Sequence, residues 1–436
     1  MTLTRRTLMS LPITLPFLHL AARAGVSETR YFPPPDAHGG WRTLSRISMT
    51  CVAAGLERKR FDDAFEYVKS SSRHGGLLVL RHGYLAYEKY FGRANREANP
   101  NMHSLGKMFT SVSCGIMLSD HKDRFSEGLA QKVFTEELLP EAFPLGDRRM
   151  ADIRIGNLLT MTSGMSRANF VSPEARIPSE GGHAIGIVHG ENVDVPLWYS
   201  SDPVYNPMSN QDRSAVRGRM WASPGEGYLY GRDPHVASMV LRRVVGMELQ
   251  EFINQRLAEP MGFGTWGYAT HLANGDLPHT PGETGIAVRS TDILRFGYML
   301  LNLGMWGSKR LVPRKYVELL SQPLLFNPHS PFSLMFEVNA DGHVARAPRD
   351  AYFKSGAGGC ALYIIPSLDM VIYKMAEADD PNETGLPACY NPSPDTSRDG
   401  WKPHPYNQFS DGPVEGETGV RRTLELVCRA LPEYDQ

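Results

Sequence analysis

Apolar and polar positions follow two rhythms along the chain, and the change from one to the other marks its organisation. From Gly76 to Gly92, "GLLVLRHGYLAYEKYFG" places β-branched and aromatic residues on both sides of His82-Gly83, which predicts two strands joined by a tight turn. A run that is apolar or small follows from Ser104 to Leu118 and predicts a core helix. "DIRIGNLLTMTSGM" (Asp152 to Met165) predicts a short helix closed by Ser163-Gly164. Gly181 to Pro224 is rich in Gly, Pro, Ser and Asn and reads as a long loop region. "DPHVASMVLRRVVG", from Asp233, and "ELQEFINQRLAEPMG" are helical patterns, each stopped by a glycine or proline signal. "STDILRFGYMLLNLG" predicts a helix with Ser290 as N-cap and Gly304 just past its end.

The period then shortens. "ARAPRDAYFKSGAGGCALYIIPSLDMVIYKM" gives short apolar strands separated by glycines and a Pro-Ser turn, and a surface excursion occupies 379–416. Val420, Leu424, Val427 and Leu431 mark one face of a closing helix. Strands at both ends with helices between predict an α/β (α+β) fold. Its antiparallel sheet comes from about 61–103 and 285–436, flanked by helices, with a mainly helical region inserted at about 104–284. Residues 61–436 are then one domain, preceded by an extension at 25–60.

Composition narrows the function little. The 436 residues are 42% hydrophobic and 21% charged with a net charge of −1, so neither a nucleic acid nor another polyanion is an expected partner. The first residues say more. A basic start with Arg5-Arg6, an apolar stretch from Leu8 to Leu20 and Ala22-Arg23-Ala24 have the layout of an export signal. Cleavage is expected after Ala24, and the paired arginines resemble a twin-arginine signal. The stretch is too short for a membrane anchor and carries Pro12, Pro16 and His19. A periplasmic or secreted protein without a stable anchor is therefore expected. Cys51, Cys114, Cys360, Cys389 and Cys428 are scattered without metal spacing, and Cys114 and Cys360 read as small core residues. No metal or other cofactor is called for.

The chemistry centres on "HSLGK". Ser104 and Lys107 are i and i+3 and share one helix face. At a helix start the Ser104 N–H is among the unpaired donors and can face a developing oxyanion. A serine hydroxyl needs a base, and a desolvated lysine becomes one near neutral pH. Ser119-Asp120-His121-Lys122 repeats the spacing, but at the carbonyl end of the helix and among charged neighbours, where no oxyanion could be held. "SPGEGYLYGRD" places Tyr230 just before a helix, where a phenol could relay a proton. "FKSGAGG" places Lys354 and small residues where a strand must approach a substrate closely. Taken singly, Tyr230 also reads as an ordinary loop residue and Lys354 as a solvated strand-end charge; the three motifs in this order carry the signal.

Those motifs resemble the serine β-lactamase and penicillin-recognising enzyme superfamily, in particular the class C β-lactamase-like group with its DD-peptidase and esterase relatives. The resemblance runs from about Gly76 to Met375 and includes "IRIGNLLTMTSGM", "ASPGEGYLYG", "GIAVRSTDILRFGYMLLNLG" and "KSG". It implies Ser104 as acyl-forming nucleophile, Lys107 as its proton partner, Tyr230 as general base and acid, and Lys354 as electrostatic anchor. The backbone N–H groups of Ser104 and Ala357 would form the oxyanion hole, with Ser355, Gly356 and Arg232 along the substrate. One position departs from the pattern: Tyr230-Gly231-Arg232 stands where many members have Tyr-x-Asn. That weakens β-lactam hydrolysis relative to ester or other amide hydrolysis. It also keeps open an alternative, a catalytically silent member that binds a small anionic or peptidic ligand through Arg232.

Overall fold

In the computed structural model the described residues are 30–43, 58–72, 74–92, 94–166, 168–169, 183–196, 198–199, 216, 219–270, 279–376, 388–391, 402–404 and 419–431. Residues 1–24, where an export signal is expected, and most of 379–416 lie outside them. Residues Phe32–Gln436 form one compact unit, and the following concerns that unit.

Helix α1 (Arg58–Ser70) leads into strands β1 (Gly75–Arg81) and β2 (Tyr84–Phe91). Their turn is His82-Gly83, with φ of 51° and 74°, the mirror-image turn whose twist matches that of paired strands. A single 3₁₀ turn, His103–Leu105, opens α2 (Gly106–Asp120), which is buried from Gly106 to Met117 and so needs no polar face. Next come α3 (Ile155–Thr160), the hairpin β3 (His183–Val188) and β4 (Glu191–Pro196), and α4 (Asp233–Val245). Strands β5 (Trp266–Thr270) and β6 (Ile286–Val288) precede α5 (Ser290–Leu301). The chain continues through β7 (Glu337–Val338), β8 (Tyr352–Ser355), β9 (Ala361–Ile365), β10 (Met370–Ala376), β11 (Ala388–Asn391) and β12 (Lys402–His404), and then α6 (Val420–Arg429).

The main sheet has the order β7-β8-β9-β10-β1-β2 and is antiparallel throughout, as the two-ended pattern predicts. Strand β10 closes it by pairing along β1 from Gly75↔Ala376 to Arg81↔Met370. Both faces are covered, which is why β1, β9 and β10 are buried at every position and largely apolar. On one face Phe61 and Val68 of α1 and Leu424 and Val427 of α6 pack with Leu77, Val79, Tyr363 and Ile372. On the other lies α5. A Cβ at Gly297 would fall 2.6 Å from Val371 Cγ1, so glycine lets that helix seat on the sheet. Phe296 of α5 stacks on Phe109 of α2 at 4.1 Å and ties the helix that follows Ser104 to this layer.

Some expectations change. Helix α3 ends at Thr160, with Met161 in the left-handed region (φ 57°), three residues before Gly164. Ser290 is the first helical residue rather than the N-cap, and its hydroxyl pairs with the Tyr90 phenol at 2.8 Å. The stretch 181–224 is not loop throughout. His189-Gly190 (φ 50° and 84°) turns β3 into β4, the same turn chemistry as His82-Gly83, hidden in the sequence by its Gly- and Pro-rich flanks. Within 379–416, β11 and β12 extend a second sheet of order β12-β11-β5-β6. Cys114, Cys360 and Cys428 are buried, and no helix among the described residues is long and apolar enough to cross a membrane.

Candidate active site

The turn that carries Ser104 is held in an uncommon backbone state. His103 has φ 48°, a left-handed conformation unfavourable for a residue with a side chain, and its N–H donates to Asn101 Oδ1 at 2.9 Å. Ser104 sits next in that turn and is half-buried. One turn on, Lys107 is 3% exposed, and its ammonium donates to Ser104 Oγ at 2.9 Å and to the Glu283 carbonyl oxygen at 2.7 Å. Burial pulls the Lys107 pKa down and Lys354 adds to that, while Tyr230 and Glu283 work against it.

Tyr230 comes from the loop before α4, where Leu229 N–H donates to Met161 O at 3.1 Å. The Lys107 and Lys354 ammonium groups lie 4.8 and 5.1 Å from the centre of its ring. Burial alone would push the phenol up. The charges of Lys107 and then Lys354, with hydrogen bonds from Ser104 and Lys354, outweigh it and bring the phenol down to about 7. A hydroxyl, a desolvated lysine and a phenol titrating near neutrality thus share one cluster, which is able to take a proton from a serine and return it to a leaving group.

Lys354, on β8, is 5% exposed and donates to the Ser355 carbonyl oxygen at 2.7 Å. A Cβ at Gly356 would fall 2.2 Å from Met102 O, so only glycine lets the end of this strand approach the Ser104 turn. Ala357 opens the following turn, Ala357–Gly359, which Gly358 completes with φ 75°. Two ties hold that turn in place: Lys374 Nζ donates to Gly359 O at 2.8 Å, and Cys360 Sγ to Met102 O at 3.3 Å. Ser104, Lys107, Tyr230, Lys354 and Gly356 are therefore brought together from distant parts of the chain. Arg232 pairs with Glu283, its Nε 3.3 Å from Glu283 Oε1. Ser119 lies exposed at the far end of α2.

Two acidic residues near the cluster went unnoticed in the sequence. Glu283 stands in "GETG", which has no motif to flag it. Asp233 begins α4, where a helical first turn often carries an acid; here it is 4% exposed and accepts from Ser163 Oγ at 2.9 Å.

A family model described as Beta-lactamase matches residues 61–388. The chain belongs to the beta-lactamase family. Solved structures agree on the fold. EstCE1, a hydrolase with promiscuous acyltransferase activity, is 18% identical with a TM-score of 0.56 over 74% of this chain and 94% of its own. A family VIII carboxylesterase is 16% identical (TM-score 0.53; 86% and 97% covered). A penicillin-binding protein homologue from Caulobacter crescentus is 12% identical (TM-score 0.54; 86% and 99% covered). No curated protein matches in sequence. This member of the beta-lactamase family thus shares its architecture with esterase and penicillin-binding relatives, and the fold alone does not choose among them.

Proposed function

We propose that this beta-lactamase-family protein is an exported hydrolase of the class C-like type that cleaves an ester or amide through an acyl-enzyme on Ser104. The observation that carries the reading is the 2.9 Å bond between Ser104 Oγ and the buried Lys107 ammonium, beside a phenol lowered to about 7. In this mechanism Ser104 Oγ attacks the carbonyl carbon while its proton passes to the Lys107–Tyr230 couple. The tetrahedral oxyanion is held by the N–H groups of Ser104 and Ala357. The C–O or C–N bond then breaks, the leaving group takes the proton, and water attacks the acyl ester by the same route in reverse. Lys354 supplies positive charge beside the phenolate, and Ser355 and Gly356 line the substrate's path.

Arg232 in place of an amide side chain leaves a β-lactam side chain short of one partner, a loss of about 0.5–1.5 kcal/mol. Short-chain esters are therefore expected to turn over faster than a chromogenic cephalosporin. The pairing of Arg232 with Glu283 also weakens the silent-binder alternative, because that cation is already neutralised. A phosphonate that mimics the tetrahedral intermediate should label the peptide containing "HSLGK". Ser104→Ala should abolish label and turnover, and Ser119→Ala should leave both intact. A wild-type protein that takes no label and hydrolyses no p-nitrophenyl ester, cephalosporin or D-Ala-D-Ala peptide would overturn the proposal. Export rests on the layout of residues 1–24, and a mature N-terminus near Gly25 in the periplasm or medium is the expected result.

A further inference from the structure

We propose that the Arg232–Glu283 ion pair is a positioning device that joins the loop of Tyr230 to the anchor of Lys107 and cancels the charge each partner would impose on that couple. The inference rests on the acyl-enzyme reading above and extends it to residues outside the catalytic group.

The geometry begins with the segment around Glu283, which is clamped between two helices. Thr110 of α2 donates to Gly282 O at 2.5 Å, and Gly282 N–H donates to His235 Nδ1 of α4 at 3.4 Å. A Cβ at Gly282 would fall 2.5 Å from Pro234 O and 2.6 Å from Ser238 Oγ, so glycine is required for this approach. Glu283 then faces two ways. Its carbonyl oxygen takes the Lys107 ammonium at 2.7 Å, and its carboxylate meets Arg232 at 3.3 Å, with side chains 17% and 13% exposed. Arg232 stands two residues after Tyr230 as the N-cap of α4. Moving either partner therefore moves an element that carries one half of the proton-transfer couple.

The charges explain why both partners are needed. The couple is faced by Lys354 from β8, by the half-buried Tyr228 from its own loop, and by Glu283, which pairs with Arg232. Asp233 and His235 lie behind them on α4, and His103 precedes Ser104. Lys107 feels the Glu283 carboxylate directly. With Arg232 present the pair adds no net charge. Glu283→Gln removes an anion that raises the Lys107 pKa, which favours proton loss from the couple. Arg232→Gln leaves an uncancelled carboxylate, which favours proton retention. The Glu283 carbonyl anchor survives every one of these substitutions.

The test is a pH titration of the full mature chain and its variants, read in two ways. Ultraviolet difference titration against Tyr230→Phe reads the phenol directly, whether or not anything is hydrolysed. The acid limb of kcat/KM for a p-nitrophenyl ester reads the couple in action. Glu283→Gln should move both readouts down by roughly half to one pH unit, Arg232→Gln should move both up by a similar amount, and the double variant should return near the wild type. Shifts of the same sign, or lower melting temperatures with no shift, would overturn the proposal and leave the pair a structural tie. Opposite shifts of the phenol in a wild-type protein that turns nothing over would uphold the electrostatic pair and sink the hydrolase reading instead.

Discussion

Arg295 and Lys107 are both buried cations, and their surroundings differ in a way that separates scaffold from chemistry. The Arg295 guanidinium, 0% exposed, is saturated. Nε meets Asp292 Oδ1 at 3.2 Å, Nη1 donates to Pro33 O and Met261 O at 3.0 and 3.4 Å, and Nη2 donates to Pro34 O and Asp36 Oδ1 at 2.6 and 2.7 Å. Lys107 has a hydroxyl and a carbonyl oxygen as acceptors, and a second ammonium shares the phenol beside it. A fixed guanidinium among carboxylates stays charged and holds its neighbours in place. An ammonium deprived of water and crowded by a like charge holds its proton less tightly, which suits it to proton transfer.

The largest expected effect attacks the reactive side of that comparison. Lys107→Ala and Tyr230→Phe should each lower kcat/KM for an ester by at least about 10²-fold, the usual loss of a positioned proton-transfer group. Both variants should remain folded, because each replaces a buried ionisable group by a neutral side chain and so relieves a desolvation cost. The double variant should lose little more than either single one, since the residues act as one unit. Multiplicative losses would break the couple into independent contributions.

Next comes the saturated side. Arg295→Met leaves the half-buried Asp36 without its main partner and takes one of two cations from buried Asp292, which keeps Arg289, and breaking a buried pair in this way costs about 3–5 kcal/mol. Denaturant unfolding should show that loss, while kcat/KM of the protein that remains folded stays near the wild-type value. A collapse of turnover without a loss of stability would reverse the assignment of the two cations.

The contrast also sets how far the sequence could be read. Ser104 was legible because a helix start and a lysine one turn on are local features, and local geometry follows from spacing. The His82-Gly83 hairpin and the apolar strands were legible for the same reason. The Arg295 network was not, since it joins α5 to residues 33–36 and makes the latter part of the packed unit, and nothing in "FPPPDAHGG" forecasts that tie. Glu283 escaped because its role depends on a backbone carbonyl, which any residue type could supply. The β3–β4 hairpin was masked by its flanks, although its own turn carried the same signal as the first.

The last test concerns Asp233, a buried carboxyl that neither side of the comparison accommodates. Its hydrogen-bond partners are the hydroxyl and the N–H of Ser163, at 2.9 and 3.4 Å, and the charge acting on it is the like-signed Glu283. Burial pushes its carboxyl from the ordinary 3.8 up to about 7, against the pull of the Ser163 bonds. A carboxyl raised in the folded state binds a proton that the unfolded chain has already released, so its contribution to stability is full below about pH 4. That contribution is lost as the pH rises through about 7. At 1.36 kcal/mol per pH unit the loss approaches about 4 kcal/mol, an upper figure because local rearrangement around the ionised group reduces it. Asp233→Asn keeps an acceptor for the Ser163 hydroxyl and cannot ionise. Its unfolding free energy should match the wild type near pH 4 and exceed it increasingly up to pH 8. A gap that stays constant with pH would mean that Asp233 is ionised in the folded protein throughout and stabilised by a partner stronger than Ser163.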